Sequence, residues 1–161
     1  MTARSGDGMD RKKIELRDHL DAARVIDLTA TSKDEALVEL VDAARGAPSV
    51  DDGDALLSAV RERESKLSTG IGLGIAVPHA RIEGVREFVV VVGRHAAGLE
   101  FGSIDGRPVH IIVLIAGPRE AKTPYLELLA QLSKRLKLEE VRTQVTGDST
   151  PEQVVELLVG T

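Results

Sequence analysis

Ser68-Thr69-Gly70-Ile71-Gly72-Leu73-Gly74-Ile75-Ala76-Val77-Pro78-His79-Ala80-Arg81 is the stretch around which the chain arranges itself. Glycines alternate with Ile71 and Leu73, the apolar run Ile75-Ala76-Val77 follows, and Pro78 halts it directly before His79. Glycine tolerates positive φ and lets backbone or ligand approach closely. Proline removes a ladder donor and fixes φ, so it ends a strand. The reading is a glycine-rich turn, a short buried strand, and a histidine at the strand's end. Backbone N–H groups clustered in such a loop suit an anion. On pattern alone a lone histidine is more often packed or solvated than reactive. The glycine spacing matches neither of two phosphate-binding motifs. No Gly-Lys-Ser/Thr follows it, and it precedes a strand instead of opening a helix.

Working outward, Ser32-Lys33-Asp34-Glu35 has the form of a capping box, and Ala36, Leu37, Leu40, Val41 and Ala44 keep helical spacing up to Gly46. A helix over about 33–45 is predicted, and a second over about 51–66, with an acidic start and a basic later half. Arg63 sits near the edge of that helix's apolar face, three residues beyond Val60, where it can lean over the glycine-rich loop. Val25 to Leu28, Phe88 to Val92 and Val109 to Ile115 read as strands, the last two buried on both faces. Residues 80–84 and 93–98 read as a loop and a turn. Thr123-Pro124 has the pattern of an N-cap followed by Pro at the first helical position, and Thr150-Pro151 repeats it. Helices are predicted to about Lys137, over 139–145, and from Pro151 onward. Strands alternating with helices indicate an α/β fold in three layers.

Composition narrows the function. The chain has 161 residues, enough for one domain with a real core. Its net charge of −5 argues against a nucleic-acid surface, and with 2% aromatic residues there is no stacking platform for single strands. Cysteine is absent, so disulfides and thiolate metal sites are excluded. The longest apolar run, Val109 to Ala116, is too short to span a membrane and is interrupted by His110. The N-terminus has no apolar signal core. A cytoplasmic protein is expected, with a flexible segment over residues 1–13 and one domain over 14–161.

The pair Arg63-Glu64, followed by Ser68-Thr69-Gly70-Ile71-Gly72-x-Gly74-Ile75-Ala76-Val77-Pro78-His79, resembles the active-site signature of the type-2 enzyme IIA family. These are the fructose, mannitol and nitrogen-regulatory IIA domains of the bacterial sugar phosphotransferase system. Weaker similarity runs from about Ile26 to Leu158. The resemblance implies a three-layer α/β/α sandwich on a mixed, four- to five-stranded sheet. It implies that His79 is the phosphorylated histidine and that Arg63 is the active-site arginine. An HPr-like phosphocarrier would be the donor, and a IIB domain or a regulatory target the recipient. The family's second histidine, at the start of a helix, corresponds here to Tyr125, which stays neutral and can donate only one O–H bond.

Transfer of a phosphoryl group to histidine needs one unprotonated, exposed ring nitrogen and a second held as N–H by an acceptor. The phosphoryl oxygens need donors. Gly70 and Gly72 can offer N–H groups, Ser68 or Thr69 a hydroxyl, and Arg63 a guanidinium. No metal or cofactor is called for, because a phosphohistidine donor is already activated and the pocket mainly positions it. Arg81 reads as a surface cation, Arg61 as unsupported, His110 as a satisfied core histidine, and His19 and His95 as solvated. A different class of function stands beside this one: an unphosphorylated binding module of the same fold that regulates a transporter or kinase by contact.

Overall fold

The computed structural model describes residues 12–160, so the expected flexible segment over residues 1–13 lies almost wholly outside the described residues. Two strands dominate: β5 (Val89–Leu99) and β6 (Val109–Pro118), antiparallel, with Val90 opposite Ile115 and Val92 opposite Val113. Their β-branched runs suit a pleated surface covered on both faces. Alternate residues enter different cores. Val89, Val91, Ile112, Leu114 and Ala116 turn to one side, and Val90, Val92, Ile111, Val113 and Ile115 to the other.

Strand β1 (Leu20–Asp27) runs parallel to β5 on the outer side. On the free side of β6 lie β3 (Ile75–Ala76) and β4 (His79–Ile82), both parallel to it. The short β2 (Gly70–Gly72) pairs antiparallel outside β3. The sheet is mixed and has six strands, in the order β1-β5-β6-β3-β2. Because β3 and β4 follow one another along the same edge of β6, the sheet is five strands wide. The break between them is Val77-Pro78. Pro78 has no N–H to give, but its carbonyl accepts from the Ile115 N–H at 3.1 Å. The chain therefore stays on the sheet while its ladder is interrupted.

Helices α1 (Lys33–Ala44) and α2 (Gly53–Lys66) cover the first face with Ala36, Leu37, Leu40, Leu56 and Val60. The second face carries α3 (Lys122–Leu136), α4 (Glu139–Val145) and α5 (Pro151–Val159), through Leu128, Leu132, Val145, Val154 and Leu158. This is the expected three-layer arrangement, with an almost purely aliphatic interior.

Several local expectations change. Residues 80–82 belong to β4 and not to a loop, because the edge of β6 beyond Ala116 is open to them. Residues 93–98 continue β5 through an irregularity between Arg94 and Leu99 and do not form a turn. Helix α3 begins two residues earlier than Thr123-Pro124 suggests. Ala121 precedes it without a side-chain cap, so Pro124 lies inside the first turn, where no N–H is required. In α1 only half of the capping box forms. Ser32 accepts from the Glu35 N–H, but the Glu35 carboxylate turns to Thr31. At α5 the Thr150–Gln153 box is complete.

Candidate active site around His79

His79 opens β4 beside Ile115 of β6, at the sheet end where β6 leads towards α3. Its Nδ1 lies 3.1 Å from the Val77 carbonyl oxygen. A carbonyl can only accept, so Nδ1 carries the proton and Nε2 keeps its lone pair. Val77 offers that oxygen because the ladder breaks at Pro78. The His79 ring is half-buried, and burial is the main reason its pKa lies below the ordinary value. The bond to Val77 opposes this, while the charges of Arg63 and Arg81 add to it. At neutral pH the ring is therefore uncharged.

Tyr125, in the first turns of α3, packs on this ring with centroids 4.8 Å apart and planes tilted by 31°. Burial holds its phenol above the usual pKa, so it remains a neutral O–H donor. The Arg81 guanidinium lies 5.9 Å from the centroid of the Tyr125 ring and donates to the Arg119 carbonyl at 3.0 Å. Arg63, in the last turn of α2, donates through Nη1 to the Leu67 carbonyl at 2.7 Å. Both cations act on His79 and on Tyr125. Arg81 was read as a surface cation, and the structure makes it part of the site. In β4 Arg81 and His79 are two apart, so both side chains leave the same face, a relation hidden in the sequence because residues 80–84 read as a loop.

The remaining expected site residues do other work. Ser68 Oγ donates to the Phe101 carbonyl at 2.6 Å and accepts from the Gly70 N–H at 3.0 Å. Thr69 is buried; its N–H and its hydroxyl both donate to the Glu64 carboxylate. The Gly70 N–H is thus already spent, and so are both hydroxyls. Gly72 is at the hairpin tip with φ +94°, beside Asp105. Gly72 pairs with Ile75, which is level with Ile111 of β6, whereas His79 is level with Ile115. That separation is about 13 Å along the strand, so Gly72 is not brought to His79. Gly70 is needed for a close approach. A Cβ there would lie 2.3 Å from Ser103 Oγ and 3.0 Å from the Ser103 Cα. Gly70→Ala is expected to lower stability by about 1–3 kcal/mol, the usual range for overpacking. An unchanged thermal midpoint would show that the hairpin can shift freely.

Glu64 is the residue that sequence reasoning passed over. Its buried carboxylate pairs with Lys33 Nζ at 2.7 Å and holds Thr69. The Thr69 carbonyl accepts from the Val77 N–H at 3.0 Å, and the Val77 carbonyl fixes His79. One continuous set of bonds therefore runs from α1 through Glu64, Thr69 and Val77 to the imidazole. Arg61, by contrast, forms a two-bond surface pair with Asp34. His95 is not simply solvated: Nε2 donates to the Ala30 carbonyl and Nδ1 accepts from Gly98. His110 donates from Nδ1 to the His95 carbonyl, as a satisfied core histidine should. Among the described residues no cluster could hold a metal ion, and no helix is long and apolar enough to cross a membrane.

Comparison with known proteins adds a lineage to this geometry. The model of the family described as "Phosphoenolpyruvate-dependent sugar phosphotransferase system, EIIA 2" matches residues 20–160. A fructose-specific EIIA component from Haloferax volcanii is 35% identical over 127 residues, covering 79% of this chain and 82% of its own length. A fructose-specific EIIABC component from Bacillus subtilis is 32% identical over 133 residues, covering 83% of this chain. The chain spans only 21% of that longer relative. Among solved structures, the nitrogen regulatory protein IIA-Ntr from Neisseria meningitidis superposes with a TM-score of 0.83 at 26% identity, over 89% of this chain and 98% of its own. The enzyme IIA of mannitol from Escherichia coli, solved in complex with its phosphorylated enzyme IIB, gives 0.76 at 23% identity, over 88% and 98%, a likeness of fold.

Proposed function

Because the chain belongs to the EIIA 2 family of the phosphoenolpyruvate-dependent sugar phosphotransferase system, we propose that it is a phosphoryl carrier working through His79. The observation that carries this reading is the fixed tautomer. With Nδ1–H held on the Val77 carbonyl, Nε2 is bare, on a ring that feels the charges of Arg63 and Arg81 and packs against Tyr125. An HPr-like phosphocarrier presents its phosphohistidine, and the Nε2 lone pair attacks phosphorus. The donor's P–N bond breaks, and its electron pair stays on the donor imidazole. The transferred oxygens meet Arg63, Arg81 and the Tyr125 hydroxyl, groups suited to spreading charge in the transition state. The acquired group passes to a IIB domain or is held as a regulatory signal. Leu67 and Leu126, exposed by 71% and 49%, stand beside Arg63 and Tyr125 and give a partner protein apolar purchase.

Incubation with enzyme I, HPr and phosphoenolpyruvate tests this directly. A gain of one phosphoryl mass, labile in acid and stable in base, is the expected result. No gain under conditions that load a known EIIA would leave the protein as an unphosphorylated binding module.

The neighbours of His79 have graded effects. A charge-assisted hydrogen bond is worth about 1.5–3 kcal/mol, so Arg63→Ala should slow uptake by about one to two orders of magnitude. It also removes one of the charges that lower the His79 pKa, so loss of uptake in acid should begin at higher pH than in the parent. Tyr125→Phe removes one neutral bond, about 1 kcal/mol, and should slow uptake several-fold. Identical pH–rate profiles for parent and Arg63→Ala would remove Arg63 from the site.

A further inference from the structure

The sheet end that carries His79 has a second polar concavity on its far side. Leu20, Val90, Ile115 and His79 form one row across β1, β5, β6 and β4. The first and last are about 14 Å apart at ordinary strand spacing. At the β1 end of this row a cleft of about 320 Å³ opens between the start of β1, the start of β5 and the connection from α1 to α2. Arg17, Asp18, His19, Arg24, Arg86 and Glu87 line it.

Its arginines are not alike. Arg86 is committed, with Nε 3.0 Å from Asp51 and Nη2 donating to the Pro48 carbonyl. Arg17 and Arg24 form no hydrogen bond or ion pair among the described residues, although Asp18 and Glu87 line the same cleft. The Nε of Arg24 is shut off from water and meets no acceptor. The rest of the Arg24 guanidinium borders the cleft with donors that no described acceptor takes. Arg24 lies in the irregular stretch of β1, where Leu20 to Val25 stand against only Val90 to Val92 of β5. Such an irregularity breaks the strict in–out alternation of side chains. His19 donates from Nδ1 to the Phe88 carbonyl at 3.0 Å and leaves Nε2 as an acceptor.

We propose that this cleft binds a small organic phosphate bearing hydroxyl groups, the chemistry of a sugar phosphate. Arg24 and Arg17 receive the phosphate, for which a guanidinium fork is well matched. Asp18, Glu87 and His19 Nε2 accept from hydroxyls, which a bare inorganic anion does not supply in the same way. The volume lies in the range of small-molecule sites. The site stands apart from His79, so occupancy does not require phosphoryl transfer there.

The test uses the full, unphosphorylated chain, followed by amide NMR and calorimetry, with glucose 6-phosphate, inorganic phosphate and glucose as probes. Glucose 6-phosphate is expected to shift the amides of Arg24, Ser49 and Phe88, to bind more tightly than phosphate, and to leave glucose without effect. Arg24→Gln should weaken glucose 6-phosphate at least about tenfold, the loss of one charge-assisted contact, with uptake at His79 unchanged. Arg17→Gln provides a second variant, on an exposed side chain, should Arg24→Gln fail to fold. Shifts centred on Arg63 and His79, undiminished binding in the variants, or no binding at millimolar concentration overturns the proposal. Phosphate binding as tightly as glucose 6-phosphate overturns the ligand class.

Discussion

His79→Ala is expected to take up no phosphoryl group at all from the phosphorylated donor, while folding as the parent does. The imidazole is the nucleophile in the proposed transfer, and the nearest side chains, Arg63, Arg81 and Tyr125, cannot replace it. The structural cost is small. His79 is half-buried and gives up one hydrogen bond to Val77 and one ring contact, about 1 kcal/mol together with compensation by water. The pH dependence has a definite sign. The folded state holds the His79 pKa below its ordinary value, so the unfolded chain binds that proton more readily. His79 is therefore neutral to stability above about pH 6.5, and it erodes stability as pH falls from there through the lowered folded value. The variant lacks this erosion, so its deficit should shrink in acid. Label retained by His79→Ala, measured by intact mass, would place the acceptor elsewhere.

Glu64→Ala is expected to be the more damaging change to the fold. Removing the carboxylate leaves the Lys33 ammonium only the Phe101 carbonyl and ring, and leaves the Thr69 N–H and hydroxyl without acceptors. Breaking a buried pair costs about 3–5 kcal/mol. The lower end applies, because the Lys33 side chain retains 29% exposure and can be rehydrated. The effect should also reach the chemistry. Once Thr69 is released, the Val77 segment and the His79 ring lose their register, and a misplacement of about 1 Å can cost about a hundredfold in rate. Two readouts separate this from mere instability. Nitrogen NMR of His79 should show a loss of the pure Nδ1–H tautomer, and Glu64→Gln, which keeps an acceptor for the Thr69 N–H, should recover part of the rate. A folded Glu64→Ala protein with parental uptake and tautomer would dissolve the connection.

Much of this was legible in the residues. The β-branched runs of β5 and β6, the apolar spacing of α1, α2 and α5, and the place of His79 after Pro78 each follow from local chemistry. What was not legible came from pairing at a distance. Residues 80–82 look like a loop until the free edge of β6 is known, and 93–98, rich in small and polar residues, look like a turn until β6 pairs with their neighbours. In the site, Ser68, Thr69 and Gly70 have the right chemistry for a phosphate cradle, and only Phe101, Glu64 and Ser103 reveal that they are already engaged. Glu64 looks like an ordinary helix carboxylate, since no local rule predicts that Lys33 and Thr69 converge on it. The resemblance sets Tyr125 beside the phosphorylatable histidine, and its ring lies against His79, while its helix starts two residues before the Thr123-Pro124 pattern suggests.

The interruption at Val77-Pro78 has a consequence for the traffic of protons. A carbonyl withdrawn from the ladder keeps the single imidazole proton on the side away from the incoming group, before, during and after transfer. In the proposed transfer the protein then neither collects a proton from solvent nor returns one on loading, and the cargo moves as a phosphoryl group alone. Loading in heavy water should therefore run at nearly the rate seen in ordinary water, whatever buffer surrounds it. If the proposed transfer holds, a sheet that gives up one rung at Pro78 gains a relay indifferent to the protonic state of its medium down to the pH at which His79 itself is charged.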